Sequence, residues 1–184
     1  MNQKRHLVIF VSLVSMIAGI ALFQYSGNGL NKPDIKSAQS SQLRTELPTS
    51  LKEVFLIDLH GVSHTLDSWK QPVLVINFWA PWCVPCRREV PDLIELQREF
   101  GDRIQILGLA LDSAENIKSF ADEYQMNYPS YLAMQNIAMY NTVFENKSGT
   151  LPFTAIIDQN RQIDFTHNGI ISLQTLRQQV TKLL

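Results

Sequence analysis

Apolar and polar positions divide the chain into three parts: an apolar block, a polar stretch, and a longer region of alternating strand and helix periods. Leu7 to Phe23 is an uncharged, dominantly apolar run of 17 residues, preceded by Lys4 and Arg5. As a helix it would span roughly 25 Å, close to the short limit for crossing a bilayer. The following Gln24-Tyr25-Ser26-Gly27 fits a cleavage site poorly. Residues 1–23 are therefore expected to be an uncleaved signal anchor, with the basic flank in the cytoplasm and the rest exported. Residues 24–50 are rich in Ser, Asn, Gln, Gly and Lys, contain Pro33 and Pro48, and hold no sustained period. They read as a flexible tether.

Residues 51–184 carry the pattern of one folded α/β domain. Val54 to Leu59 reads as a strand, His60-Gly61 as a turn, and Val62 to Leu66 as the returning strand of a hairpin. Val73 to Trp79 is apolar almost throughout, as in a central strand buried on both faces. The period becomes helical from Cys83 to Phe100, and Gly101 follows the end. Ile104 to Leu111 is a second buried strand, and Ser113 to Gln125 is a helix capped by Asp112 or Ser113. Tyr128 to Leu132 and Asn136 to Phe144 form a short β-α insertion. Pro152 to Asp158 and Gln162 to Thr166 are strands joined tightly through Gln159-Asn160-Arg161, and Ser172 caps a last helix to Leu184. The order predicts a mixed central sheet with helices on both faces.

Charge narrows the partners. The first 43 residues hold four of the 16 Lys and Arg but one of the 17 Asp and Glu, so the remainder carries a net of −4. A mildly acidic domain does not suit a phosphate backbone, and no nucleic acid is expected. The chain has two cysteines, and both lie in Trp82-Cys83-Val84-Pro85-Cys86, directly after the central strand. A disulfide between them closes too small a loop to staple a fold, so chemistry explains the pair better than scaffolding. Cys83 falls where the helix begins, and unpaired N–H groups and the positive end of the helix dipole favour a thiolate there. Cys86, one turn on, can reach its sulfur and is expected to be the more buried, resolving thiol. Arg87 and Arg88 add positive charge nearby, and Trp82 is expected to shield the sulfurs.

The run Asn77-Phe78-Trp79-Ala80-Pro81-Trp82-Cys83-Val84-Pro85-Cys86-Arg87-Arg88-Glu89-Val90-Pro91 resembles the membrane-anchored thiol:disulfide oxidoreductases of the TlpA/ResA type, within the thioredoxin superfamily. So does Gly149-Thr150-Leu151-Pro152-Phe153-Thr154-Ala155-Ile156-Ile157-Asp158, and the resemblance covers about residues 45–184. It implies a thioredoxin-like fold for residues 51–184, with an N-terminal β-hairpin and a short central insertion. Pro152 matches a cis-proline that packs against the cysteines, and Leu151 matches a residue whose backbone pairs with the bound substrate. Asn77 stands where thioredoxin has a buried aspartate. An amide cannot exchange a proton, so Glu89, three residues past Cys86, becomes the candidate for tuning the thiols and moving a proton.

The implied reaction is disulfide exchange at a redox-active Cys83–Cys86 pair, with no further cofactor. Implied partners are disulfide-containing proteins such as apocytochrome c and a membrane thiol that supplies electrons. The implied location is the bacterial cytoplasmic membrane, crossed once by residues 7–23, with the domain in the periplasm or outside the cell. A disulfide-forming oxidase is the main alternative, since Val84-Pro85 gives no direction to the chemistry. A copper chaperone would need a third ligand, and His60, His64 and His167 have no metal spacing with the cysteines. A peroxidase would expect a lone reactive cysteine rather than an adjacent pair. Tyr124, Tyr128, Tyr131 and Tyr140 are expected to pack.

Overall fold

The computed structural model describes residues 47–184; the expected anchor and most of the tether lie outside the described residues. Strands β1 (Phe55–Asp58) and β2 (Ser63–Thr65) form the expected hairpin. Asp58 builds its turn, since Oδ1 accepts the N–H groups of His60 and Val62 at 2.9 Å each. A short acidic side chain that satisfies its own backbone is what fixes such a turn. Then come β3 (Val73–Trp79), α1 (Val84–Phe100), β4 (Ile104–Ala110), α2 (Ala114–Tyr124), β5 (Ser130–Leu132) and α3 (Ile137–Val143). The chain closes with β6 (Phe153–Ile157), β7 (Ile163–Asn168) and α4 (Leu173–Leu183). Ser113 and Ser172 cap α2 and α4, their hydroxyls accepting N–H groups at 3.2 Å.

The differences from expectation lie at element ends. Cys83 is the N-cap of α1 rather than its first residue. Tyr128 precedes β5, and His167 lies inside β7 opposite Thr154, because the β6–β7 ladder runs on to Asn168.

The seven strands make one sheet in the order β2-β1-β5-β4-β3-β6-β7. β3, β4 and β5 are parallel neighbours, while β1, β2, β6 and β7 pair antiparallel. β3 and β4 lie at the centre, which is why their sequences lack polar alternation. Alternation along β3 sends Leu74, Ile76 and Phe78 to one face, where they pack with Tyr140 and Phe144 of the insertion. Val73 and Val75 point to the other face, against Leu93 and Leu96 of α1 and Leu176 and Val180 of α4. Trp79, on that same face, packs with Cys86 and with Ile117 and Phe120 of α2. Each large side chain removed from water in this way contributes about 1.5–3 kcal/mol. The same alternation turns Asn77, the one polar residue of β3, towards α1.

Candidate active site

Cys83 and Cys86 are joined in a disulfide where β3 hands over to α1. Cys83 Sγ accepts the Cys86 N–H at 3.2 Å, so the sulfur itself caps the helix. An anion on that sulfur would meet both the donated N–H and the positive end of α1. Cys83 keeps 6% of its surface in solvent and Cys86 none, so Cys83 is the nearer of the two to solvent. Pro85 sits in the first turn of α1, where a missing N–H leaves no helical bond unmade.

One turn past Cys86 on α1 lies a buried polar group. Glu89, on α1, is 1% exposed. Its Oε1 accepts the Ile171 N–H at 3.0 Å and its Oε2 accepts the Asn77 amide at 3.1 Å. The Asn77 amide also donates to Thr154 Oγ1 at 3.2 Å, across the β3–β6 ladder where the two residues stand opposite. Burial pushes the Glu89 carboxyl up to about 7, and the two donated hydrogen bonds only partly oppose it. The negative charge of Asp92 adds to the rise. A carboxyl of this kind, one turn past Cys86, can hold or release a proton near neutral pH. Thr154 and the Ile171 N–H are members of this group that the sequence reading did not name. The signal for Thr154 was present, as a hydroxyl within the otherwise apolar strand Phe153–Ile157.

The Leu151–Pro152 peptide is cis, as the resemblance implied. Leu151 packs with the cluster that contains Cys83 and Cys86. Trp82 lies at the rim, 63% exposed, and its indole N–H donates to the Leu111 carbonyl at 3.2 Å. That bond ties the ring to the β4–α2 connection. Arg87, one turn past Cys83, donates to the Tyr124 hydroxyl at 3.1 Å and lies over the rings of Phe120 and Tyr124. Those rings stack with centroids 4.0 Å apart, which holds the guanidinium in place. Arg88 is exposed.

The remaining candidates stand elsewhere. His64 Nε2 lies 2.8 Å from Asp58 Oδ2, and that partner holds the Asp58 carboxyl down to about 2. His60 is exposed at the hairpin turn, and His167 Nε2 lies 3.1 Å from the Ile170 carbonyl oxygen. Among the described residues, no three His, Cys, Asp or Glu side chains are grouped so as to hold a metal ion. Tyr128, Tyr131 and Tyr140 are buried, and Tyr124 stacks on Phe120. No helix among the described residues is long and apolar enough to cross a membrane.

Comparison with known proteins places this geometry among relatives. The AhpC/TSA family pattern matches residues 45–166. The chain is 29% identical to the thioredoxin-like protein YneN of Bacillus subtilis, over 91% of this chain and 98% of that protein. It is 26% identical to the thiol-disulfide oxidoreductase ResA of Geobacillus thermodenitrificans, over 70% of this chain and 72% of ResA. Among solved structures, a thioredoxin-related protein from Neisseria meningitidis serogroup B superposes with a TM-score of 0.60 at 28% identity. That superposition covers 67% of this chain and 93% of the other.

Proposed function

Because the chain belongs to the AhpC/TSA family and is a thiol-disulfide oxidoreductase of the TlpA/ResA type, we propose that it reduces disulfides of exported partner proteins from a membrane-tethered domain. The observation that carries this reading is the Cys83 sulfur capping α1, with the fully buried Cys86 beside it. In the reduced chain, the Cys83 thiolate attacks one sulfur of a partner disulfide. A mixed disulfide forms and the partner's other sulfur leaves as a thiolate. Cys86 then gives up its proton, with Glu89 as the acceptor, and attacks the Cys83 sulfur. The partner departs with two electrons gained, and the chain is left with the Cys83–Cys86 disulfide. Arg87, fixed over Phe120 and Tyr124, adds positive charge one turn from the attacking sulfur.

Leu151 offers its backbone to the partner just before the cis bond to Pro152, and Trp82 borders the docking surface. A membrane thiol returns the electrons. An apocytochrome c with oxidised haem-binding cysteines is a partner of the right kind. The redox-active disulfide serves without a further cofactor. Residues 51–184 act as the domain, residues 1–23 as the anchor and 24–50 as the tether.

The direction is tested by the reduction potential of the protein together with its thiol state in cells. A reductase is expected below about −200 mV with free thiols in vivo. A potential near the about −120 mV of strong periplasmic oxidants, with the pair oxidised in vivo, would instead make it a disulfide-forming oxidase.

A further inference from the structure

The segment that leads into Pro152 is held from two sides by asparagines. On one side is Asn146, which is 1% exposed although it lies in a connecting loop. Its Nδ2 donates to Asn141 Oδ1 on α3 at 3.1 Å and to the Thr150 carbonyl at 3.2 Å. Both of its amide hydrogens are thereby used. On the other side is Asn168, the last residue of β7. Its Oδ1 accepts the Ser148 hydroxyl at 2.8 Å and the Thr150 hydroxyl at 3.1 Å, filling both lone pairs. Gly149 between them takes φ +62, and its N–H donates back to the Asn146 carbonyl at 3.0 Å.

The carbonyls on either side of Leu151 are thus bonded internally. The Thr150 carbonyl is taken by Asn146, and the Pro152 carbonyl by the Gly169 N–H at 2.9 Å. Among the described residues, the N–H and C=O of Leu151 itself enter no hydrogen bond. A free donor and acceptor on one residue, between two bonded carbonyls, is a ready slot for one bridge of an antiparallel strand.

We propose that Asn146 and Asn168 are positioning residues that preform Ser148–Leu151 as the docking edge for an extended peptide carrying the partner's disulfide. This rests on the exchange reading above. The pinning removes an ordering cost at the moment of docking, which raises productive encounter with a peptide. A small disulfide without a backbone gains nothing from it. The clamp therefore separates protein substrates from small ones, which a role confined to loop stability would not do.

The test compares the reduced full-length chain with Asn168→Ala and with the double variant Ser148→Ala/Thr150→Val. Each is oxidised by a disulfide-bonded peptide and, separately, by a small aromatic disulfide. Both variants are expected to react about 10-fold more slowly with the peptide, while the small disulfide reacts within about twofold of wild type. Peptide rates within about twofold of wild type, or equal losses with both reagents, would overturn the clamp. A wild-type chain that oxidises no faster than a free thiol would instead overturn the exchange reading on which the clamp rests.

Discussion

At the scale of single residues, Glu89 makes the most direct claim. In the folded, oxidised chain its carboxyl ionises near 7, against 4.5 without the surroundings. The unfolded chain therefore loses this proton first, and stability falls as pH rises from about 4.5 to about 7. The loss amounts to about 3 kcal/mol. Thermal melts of the oxidised protein should show that decline, and Glu89→Gln should flatten it. A wild-type curve already flat in that window would contradict the assigned environment. Asp58 does not interfere, since its depressed carboxyl contributes stability that is lost only as pH falls from 3.8 towards 2. The same Glu89→Gln variant should shift the pH profile of thiol alkylation in the reduced protein, and an unchanged profile would leave Glu89 outside the chemistry. Glu89 was legible because it stands three residues past Cys86. The far members of its group were not. Thr154 and Ile171 lie 65 and 82 positions away from it in sequence, and only the β3–β6 register and the β7–α4 connection bring them in. Asn77 was the other legible member, an amide that cannot exchange a proton and so left that role to Glu89.

At the scale of elements, the helix–strand junctions carry the site, and their packing is testable away from the sulfurs. A Cβ on Gly108 of β4 would sit 2.7 Å from Trp79 Nε1 and 2.8 Å from Ser130 Oγ. Trp79 is fully buried in the cluster that holds both cysteines, so it has little room to move. Gly108→Ala should therefore destabilise the protein by about 1–3 kcal/mol in urea unfolding. An unchanged midpoint would mean that Trp79 packs more loosely than described. The elements themselves were readable because their periods are strong. Val73–Trp79 is apolar at all but one position, and α1 switches to a helical period at once after Cys83. Their ends were less readable. Tyr128 is apolar enough to extend β5 by pattern, yet the ladder with β4 engages only Ser130 to Leu132. The sheet order was not legible either, because β5 of the insertion lies between β1 and β4, and sequence proximity does not reveal that.

At the scale of the whole molecule, residues 1–23 are the proposed membrane anchor of an exported domain. Deleting them should move the protein from the membrane to the soluble fraction while its peptide-disulfide exchange stays. A full-length chain found free in the soluble fraction would remove the anchor. Trp82 and Val84, on either side of Cys83, are each more than half exposed, and the proposed partner would meet the chain there. The claim on which everything else depends is that Cys83 attacks and Cys86 resolves. Mass spectrometry of reduced Cys86→Ser mixed with a disulfide-bonded peptide tests it most directly. A stable adduct through Cys83 is predicted, released by added thiol, with none formed by Cys83→Ser. Adducts at Cys86 in Cys83→Ser, or no adduct at Cys83 while the wild-type chain is still oxidised by the peptide, would contradict it.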